Sequence, residues 1–214
     1  EQAPGSPDAR TTVDLDAPST SAVPSGIAGL NGWYISTVSV SLVADDPISG
    51  LERTEHRLNG GSWTVHSAAL QLGQGVHLLE FRSLDRAGNM EVAQELEIRV
   101  DTAPPAISAQ ANATAVNGWF RNAVGVTLSV SDALDPSCAL LYRLDGGSWT
   151  AYSSAVTVSG EGEHLLEFEA RDHAGNLGHG SLVIRIDSTP PSSQSSAEGV
   201  LGSAGRYLGP VSVT

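Results

Sequence analysis

Apolar and polar residues alternate with a period of two along much of this chain. Val38, Val40, Leu42 and Ala44 alternate with Ser39, Ser41 and Val43, and Val124, Val126, Leu128 and Val130 repeat the run further on. Leu79, Phe81 and Ser83 alternate with Glu80 and Arg82; Leu96, Ile98 and Val100 alternate with Glu95, Glu97 and Arg99. Successive strand side chains point to opposite faces, so each run predicts a strand with one buried and one wet face. No stretch makes a convincing amphipathic helix. The expected core contains Leu42, Leu79, Phe81 and Ile98, with Leu128, Leu166, Phe168 and Ile184 as their counterparts.

The breaks between runs carry turn chemistry. Asn59-Gly60 and Asp145-Gly146 suit type I′ turns, which need positive φ at both central residues. Ala87-Gly88-Asn89 and Ala174-Gly175-Asn176 mark the hairpin that joins the last two strands of each run of strands. Asp85 and Asp172 fall on inward positions just before those turns. Each is expected to accept turn N–H groups through its carboxylate.

The same segments occur twice, in order. "NGWY" at Asn31 returns as "NGWF" at Asn117, "HRLNGGSWT" at His56 as "YRLDGGSWT" at Tyr142, and "HLLEF" at His77 recurs unchanged at His164. "DRAGN" at Asp85 returns as "DHAGN" at Asp172, and "IRVDTAPP" at Ile98 as "IRIDSTPP" at Ile184. The linker aspartates Asp14, Asp101 and Asp187 stand 87 and then 86 residues apart. Self-similarity at a fixed period signals a repeat architecture. About seven short strands per repeat predict an all-β fold of tandem immunoglobulin-like antiparallel sandwiches. The expected division is a linker or the end of a preceding repeat at 1–13, Ig-like domains at 14–100 and 101–186, and the start of an incomplete third at 187–214. Pro104-Pro105 and Pro190-Pro191 offer no N–H to a sheet and predict short, stiff, extended joints.

The 187–214 segment begins as the other repeats do. Arg206-Tyr207 aligns with Trp33-Tyr34 and Trp119-Phe120, and Val211 and Val213 align with Val38 and Val40. Two strands do not bury an apolar face by themselves. The expectation is therefore a segment of a longer tandem array, with Val211 and Val213 unpartnered or packed on a neighbouring chain.

"YRLDGGSWTAY", then "GEHLLEFEARDHAGN", then "IRIDSTPP" resemble the bacterial Ig-like repeats of secreted and cell-surface proteins, over 14–214. The resemblance implies tandem modules of adhesins, stalks or enzyme appendages. It implies an extracellular or cell-surface location, and partners that are further Ig-like repeats or neighbouring copies in a fibre. It says little about activity, because such modules serve many functions.

Composition narrows the function classes. The net charge of −13 disfavours binding to nucleic acid or to an anionic membrane surface, and no apolar run is long enough for membrane insertion. All 11 basic residues are Arg, so a Lys–Asn isopeptide brace cannot form. Cys138 is the single cysteine, so there is no intrachain disulfide.

Candidate chemistry is sparse, and the chain is read as a non-enzyme with no catalytic, cofactor or metal residues assigned. His77 and His164 are repeat equivalents, His56 stands where Tyr142 stands in the copy, and His173 replaces Arg86 in a turn; His66 and His179 complete the set. Cys138 reads better as a small semi-buried residue than as a reactive thiol. No cofactor is expected, though calcium is the one metal for which ligands are offered: Asp45, Asp46, Asp85 and Asp101, with Asp132, Asp135, Asp172 and Asp187 as counterparts. Against it, no DxDxDG run occurs and turn capping already accounts for Asp85 and Asp172. Trp33, Trp63, Trp119 and Trp149 offer sugar-stacking surfaces, but repeated aromatics on a repeated fold read better as packing. The sequon at Asn112 occurs in one repeat only. The reading is a structural spacer module of a repetitive surface protein, with a carbohydrate- or protein-binding appendage of a secreted enzyme as the alternative.

Overall fold

The computed structural model describes residues 13–202 and 205–213. The linker expected at 1–13 lies, apart from Val13, outside them. The first sandwich contains β1 (Ser19–Ser25), β2 (Trp33–Tyr34), β3 (Val38–Asp45), β4 (Leu51–Leu58), β5 (Thr64–Val65), β6 (Leu70–Leu72), β7 (Gly75–Asp85) and β8 (Gln94–Val100). The second contains β9 (Ala106–Ala111), β10 (Val124–Ser131), β11 (Ala139–Leu144), β12 (Thr150–Ala151), β13 (Val156–Val158), β14 (Gly162–Arg171) and β15 (Leu177–Ile186). β16 (Ala197–Glu198) pairs with β17 (Ser212–Val213) beyond them. The described residues contain no helix, and so none long and apolar enough to cross a membrane.

The first sandwich sets β1-β3-β6 against β2-β8-β7-β4-β5. The second sets β9-β10-β13 against β12-β11-β14-β15. The register is the same in both: His56 lies opposite Phe81 as Tyr142 lies opposite Phe168, and Leu79 opposite Leu96 as Leu166 opposite Leu182. One feature departs from the all-antiparallel expectation. β2 runs parallel to β8 (Trp33 beside Arg99), and an isolated parallel bridge joins Phe120 to Ile186. In each sandwich the short segment that follows the first strand therefore lies beside the last strand.

Asn59-Gly60 and Asp145-Gly146 adopt positive φ at both residues, with Gly61 N–H donating to the Leu58 carbonyl and Gly147 N–H to that of Leu144. The "NGW" segments are turns of the same hand. Asn31 and Gly32 have φ of 53° and 78°, and Trp33 N–H returns to the Leu30 carbonyl.

Each sandwich closes over its own core. Val38, Val40, Leu72, Leu79, Phe81, Ile98 and Val100 are buried in the first. Val124, Val126, Leu128, Val156, Val158, Leu166, Phe168, Ile184 and Ile186 are buried in the second. Leu42 is only half-buried against the first core, whereas its counterpart Leu128 is buried. The outer face of β7 is also drier than alternation predicts. Glu80 is buried because Arg57 Nε donates to it at 2.8 Å and covers it.

In the last segment, the bridge Leu201–Tyr207 repeats the Ala28–Tyr34 bridge of the first sandwich. Val211 and Val213 are exposed.

Candidate functional site

Two of the three linker aspartates, Asp14 and Asp101, do not stay in the linkers. Asp14 meets Asp46, from the loop after β3, and Asp85, from the end of β7, with one carboxylate oxygen of each within 4.8 Å of the others. Asp101, Asp132 and Asp172 form the same cluster in the second sandwich. Two unit charges at that separation repel by about 3 kcal/mol at an effective dielectric near 20. The fold therefore holds both clusters against their own charge.

Backbone N–H groups do much of the holding. Asp85 Oδ1 accepts from Gly88 N–H and Asn89 N–H, both at 2.7 Å, and Oδ2 accepts from Asn89 Nδ2 at 2.8 Å. Asp172 makes the same three contacts with Gly175 and Asn176. Burial pushes the Asp85 carboxyl up, but these donors together outweigh it and hold it below the usual carboxylate range. Asp46 Oδ1 collects the N–H groups of Ile48, Ser49 and Gly50 at 2.7–3.2 Å. Asp132 Oδ1 collects those of Leu134 and Asp135. Asp14 accepts from Asp16 N–H and Ser49 N–H.

The hairpin asparagine completes the device by reaching the linker. Asn89 Nδ2 donates to the Asp14 carbonyl at 3.2 Å, and Asn176 Nδ2 to the Asp101 carbonyl at 2.9 Å. Thus "DRAGN" and "DHAGN" cap their own turns and also fasten the incoming linker. Asp101 is 1% exposed and is gripped from the other side as well: Gln74 Nε2, in the first sandwich, donates to Asp101 Oδ1 at 2.7 Å. Gln74 Oε1 accepts from Thr102 N–H at 2.7 Å.

The two sandwiches also touch directly at this joint. Leu30 N–H donates to the Ala174 carbonyl at 2.7 Å, and Asn31 Nδ2 to the His173 carbonyl at 2.8 Å. A Cβ on Gly29 would collide with the Ala174 carbonyl oxygen, so this approach requires glycine at 29. The "NGW" turn that ends one sandwich therefore seats on the "AGN" hairpin that begins the next. A cavity of about 270 Å³ beside the contact is lined by Asn31, Asp135, Arg171, Asp172 and His173, among others.

Three of the aspartates offered as ligands by the sequence stand outside the clusters. Asp45 is exposed on the outer face of β3, opposite Ser19. Asp135 accepts from His173 N–H and Nδ1–H, both at 2.8 Å. Burial raises the Asp135 carboxyl, but the Ser137 and His173 donors more than offset it and its pKa falls. Asp187 is exposed and caps Thr189. Asp14 was not among the expected ligands. Its equivalence to Asp101 was the signal that could have found it.

Cys138, His77 and His164 have structural partners. Cys138 Sγ donates to the Asp135 carbonyl at 3.2 Å; burial and then the charges of Asp135, Asp132 and Asp172 push its pKa up to about 11. Such a thiol stays protonated at neutral pH. His77 bonds the Gly73 carbonyl, and His164 bonds Asp145 at 2.8 Å. The guanidinium groups of Arg57 and Arg82 stack over Trp63, 4.8 and 4.1 Å from the ring centroid, and Arg143 stacks over Trp149 at 4.7 Å. These tryptophans pack on the outer sheet face and belong to neither core cluster.

The architecture is all-β, with antiparallel sheets packed as Ig-like sandwiches. The chain is similar to the fibronectin(III)-like modules of Clostridium thermocellum CbhA, with 13% identity, 81% of this chain and 99% of that one covered, and a TM-score of 0.34. It is also similar to the D00–D0 domain of intimin, with 14% identity, 76% and 98% covered, and a TM-score of 0.34. No family model matches the chain, and no curated protein matches it.

Proposed function

We propose that this chain is an extracellular spacer module of a repetitive bacterial surface protein, stalk or fibre, without catalytic activity of its own. The observation that supports this reading is the grip on Asp101. Gln74 of the first sandwich and Asn176 of the second hold the same linker residue, while Leu30 and Asn31 seat on the hairpin of the second sandwich. A joint tied from both sides transmits orientation, which a spacer needs and a freely hinged pair lacks. The partners it implies are further Ig-like repeats, in the same chain or in neighbouring copies. The sugar-binding alternative has less to rest on, because arginine side chains already occupy the stacking positions at Trp63 and Trp149.

Small-angle scattering tests the reading. The wild-type chain should give the profile of an extended, end-to-end pair with a narrow spread of conformations. Gly29→Ala should broaden that spread while leaving both sandwiches folded. A compact profile with the sandwiches side by side would overturn the spacer role.

A further inference from the structure

Asp46 is 7% exposed, and its two oxygens are treated very differently. Oδ1 takes three backbone N–H groups, whereas Oδ2 is buried and has no hydrogen-bond partner. Buried acceptors are almost always satisfied, and a charged one is the costliest to leave bare. Asp46 also belongs to a cluster of three carboxylates, and no ion pair among the described residues involves Asp14, Asp46 or Asp85. Arg86 comes near the loop, with Nη1 3.5 Å from where a Cβ would stand on Gly50, but pairs with none of the three. The orphaned oxygen and the uncompensated charge call for the same thing, a cation.

The geometry points to a calcium site formed by Asp14, Asp46 and Asp85, repeated at the joint between the sandwiches by Asp101, Asp132 and Asp172. The donor set selects the ion. Every ligand is a hard carboxylate oxygen, with no imidazole or thiolate in either cluster, which disfavours zinc and copper. Calcium accepts six to eight oxygens in loose geometry, whereas magnesium demands a near-ideal octahedron and keeps its water. Three carboxylates contributed by a linker, a loop and a hairpin suit the looser ion, with water filling the remaining positions. An ion in each cluster would fasten the incoming linker to the sandwich it enters. Binding does not depend on the spacer reading; a mechanical consequence does.

The test uses the full chain stripped with EDTA, then titrated calorimetrically with CaCl2 and, in parallel, with MgCl2. Two calcium ions should bind per chain, at least tenfold more tightly than magnesium, and calcium should raise the melting temperature. Asp46→Asn keeps Oδ1 for the turn and removes the charge. It should cut the stoichiometry from two to one while melting in EDTA no lower than wild type. Asp132→Asn should remove the other ion in the same way, so a folding defect in one variant leaves the other to decide. Absence of calcium-dependent heat and melting shift at millimolar calcium would overturn the site, and so would two ions still bound by both variants. Calcium binding with unchanged scattering would uphold the site and overturn its coupling to a spacer role.

Discussion

The two sandwiches share a register but not a core chemistry. Where β1, β4 and β7 face one another, the first sandwich has Thr20, Thr54 and Ser83, with Ser83 Oγ 2.6 Å from Thr20 Oγ1 and 2.9 Å from Thr54 Oγ1. The corresponding positions of the second are Ile107, Leu140 and Ala170, which are apolar. A second substitution follows the same line. His56 and His66 meet edge to face at 5.4 Å where Tyr142 and Tyr152 meet at 6.4 Å. Tyr152 Oη accepts from Leu128 N–H at 3.0 Å, the bond that His66 Nε2 makes to Leu42 N–H at 3.5 Å. Both histidine Nδ1 atoms are buried without partners. One backbone thus tolerates either chemistry, provided that volume and the N–H contact are kept. The difference teaches that the first sandwich stores its identity in hydrogen bonds and the second in apolar packing. The lower of two melting transitions should therefore belong to the first.

The largest effect should come from the residue the two sandwiches have in common. Phe81→Ala and Phe168→Ala should each cost about 3–5 kcal/mol, because both rings are buried in their cores. Each variant should lower one calorimetric transition and leave the other in place. A single transition that moves with either substitution would show that the sandwiches do not unfold independently.

A smaller effect should separate them. Phe168 lies opposite Gly180, and a Cβ there would collide with the ring, whereas Phe81 lies opposite Gln94. Gly180→Ala should cost about 1–3 kcal/mol through overpacking. Gln94→Ala loses the side-chain bond to the Thr20 carbonyl and should cost about 1 kcal/mol. Chemical denaturation of the two variants measures both. Equal losses would erase the packing difference.

The subtlest effect is on pH dependence, and its sign is opposite in the two halves. Burial, and then the neighbouring His66, lower the His56 pKa below its ordinary value of 6.5. The unfolded state binds the proton more readily, so the first sandwich has its full stability above about pH 6.5 and loses it as the pH falls. In the second, the Asp145 carboxylate raises the His164 pKa, and that imidazole lowers the pKa of Asp145. That pair contributes below about pH 6.5 and is lost as the pH rises through the raised histidine pKa; it is also lost in acid once Asp145 protonates. The first sandwich has neutral Asn59 at the Asp145 position. Melting followed from pH 7.5 to 5 should therefore spread the two transitions apart. His56→Tyr with His66→Tyr should remove the acid loss in the first. Parallel shifts in both transitions would refute the assignment.

The strands, the turns and the repeat were legible in the sequence because each obeys a local rule. Alternation at Val38–Ala44 and Leu79–Ser83 sets which side chains face inward, and the Asn-Gly and Asp-Gly steps satisfy a φ requirement that few other residues meet. Asp85 and Asp172 were legible as turn caps for the same reason, since their partners lie three and four residues away. The parallel β2–β8 pair was not, because a two-residue strand carries no periodicity. Nor was the choice between neighbouring aspartates. Asp45 and Asp46 are the same residue type side by side, yet β3 ends between them, leaving Asp45 exposed and turning Asp46 into the cluster.

Long-range packing decided the rest. Asp14 joins residues 32 and 71 positions further along the chain, and Gly29 is required by a carbonyl at Ala174 in the other sandwich. The sequence alone therefore determined an all-β chain whose capped hairpins occur twice, because alternation and turn conformation are properties of short segments. Only the tertiary structure decided which carboxylates converge and where one sandwich seats on the next, because those contacts exist only once the sheets have closed.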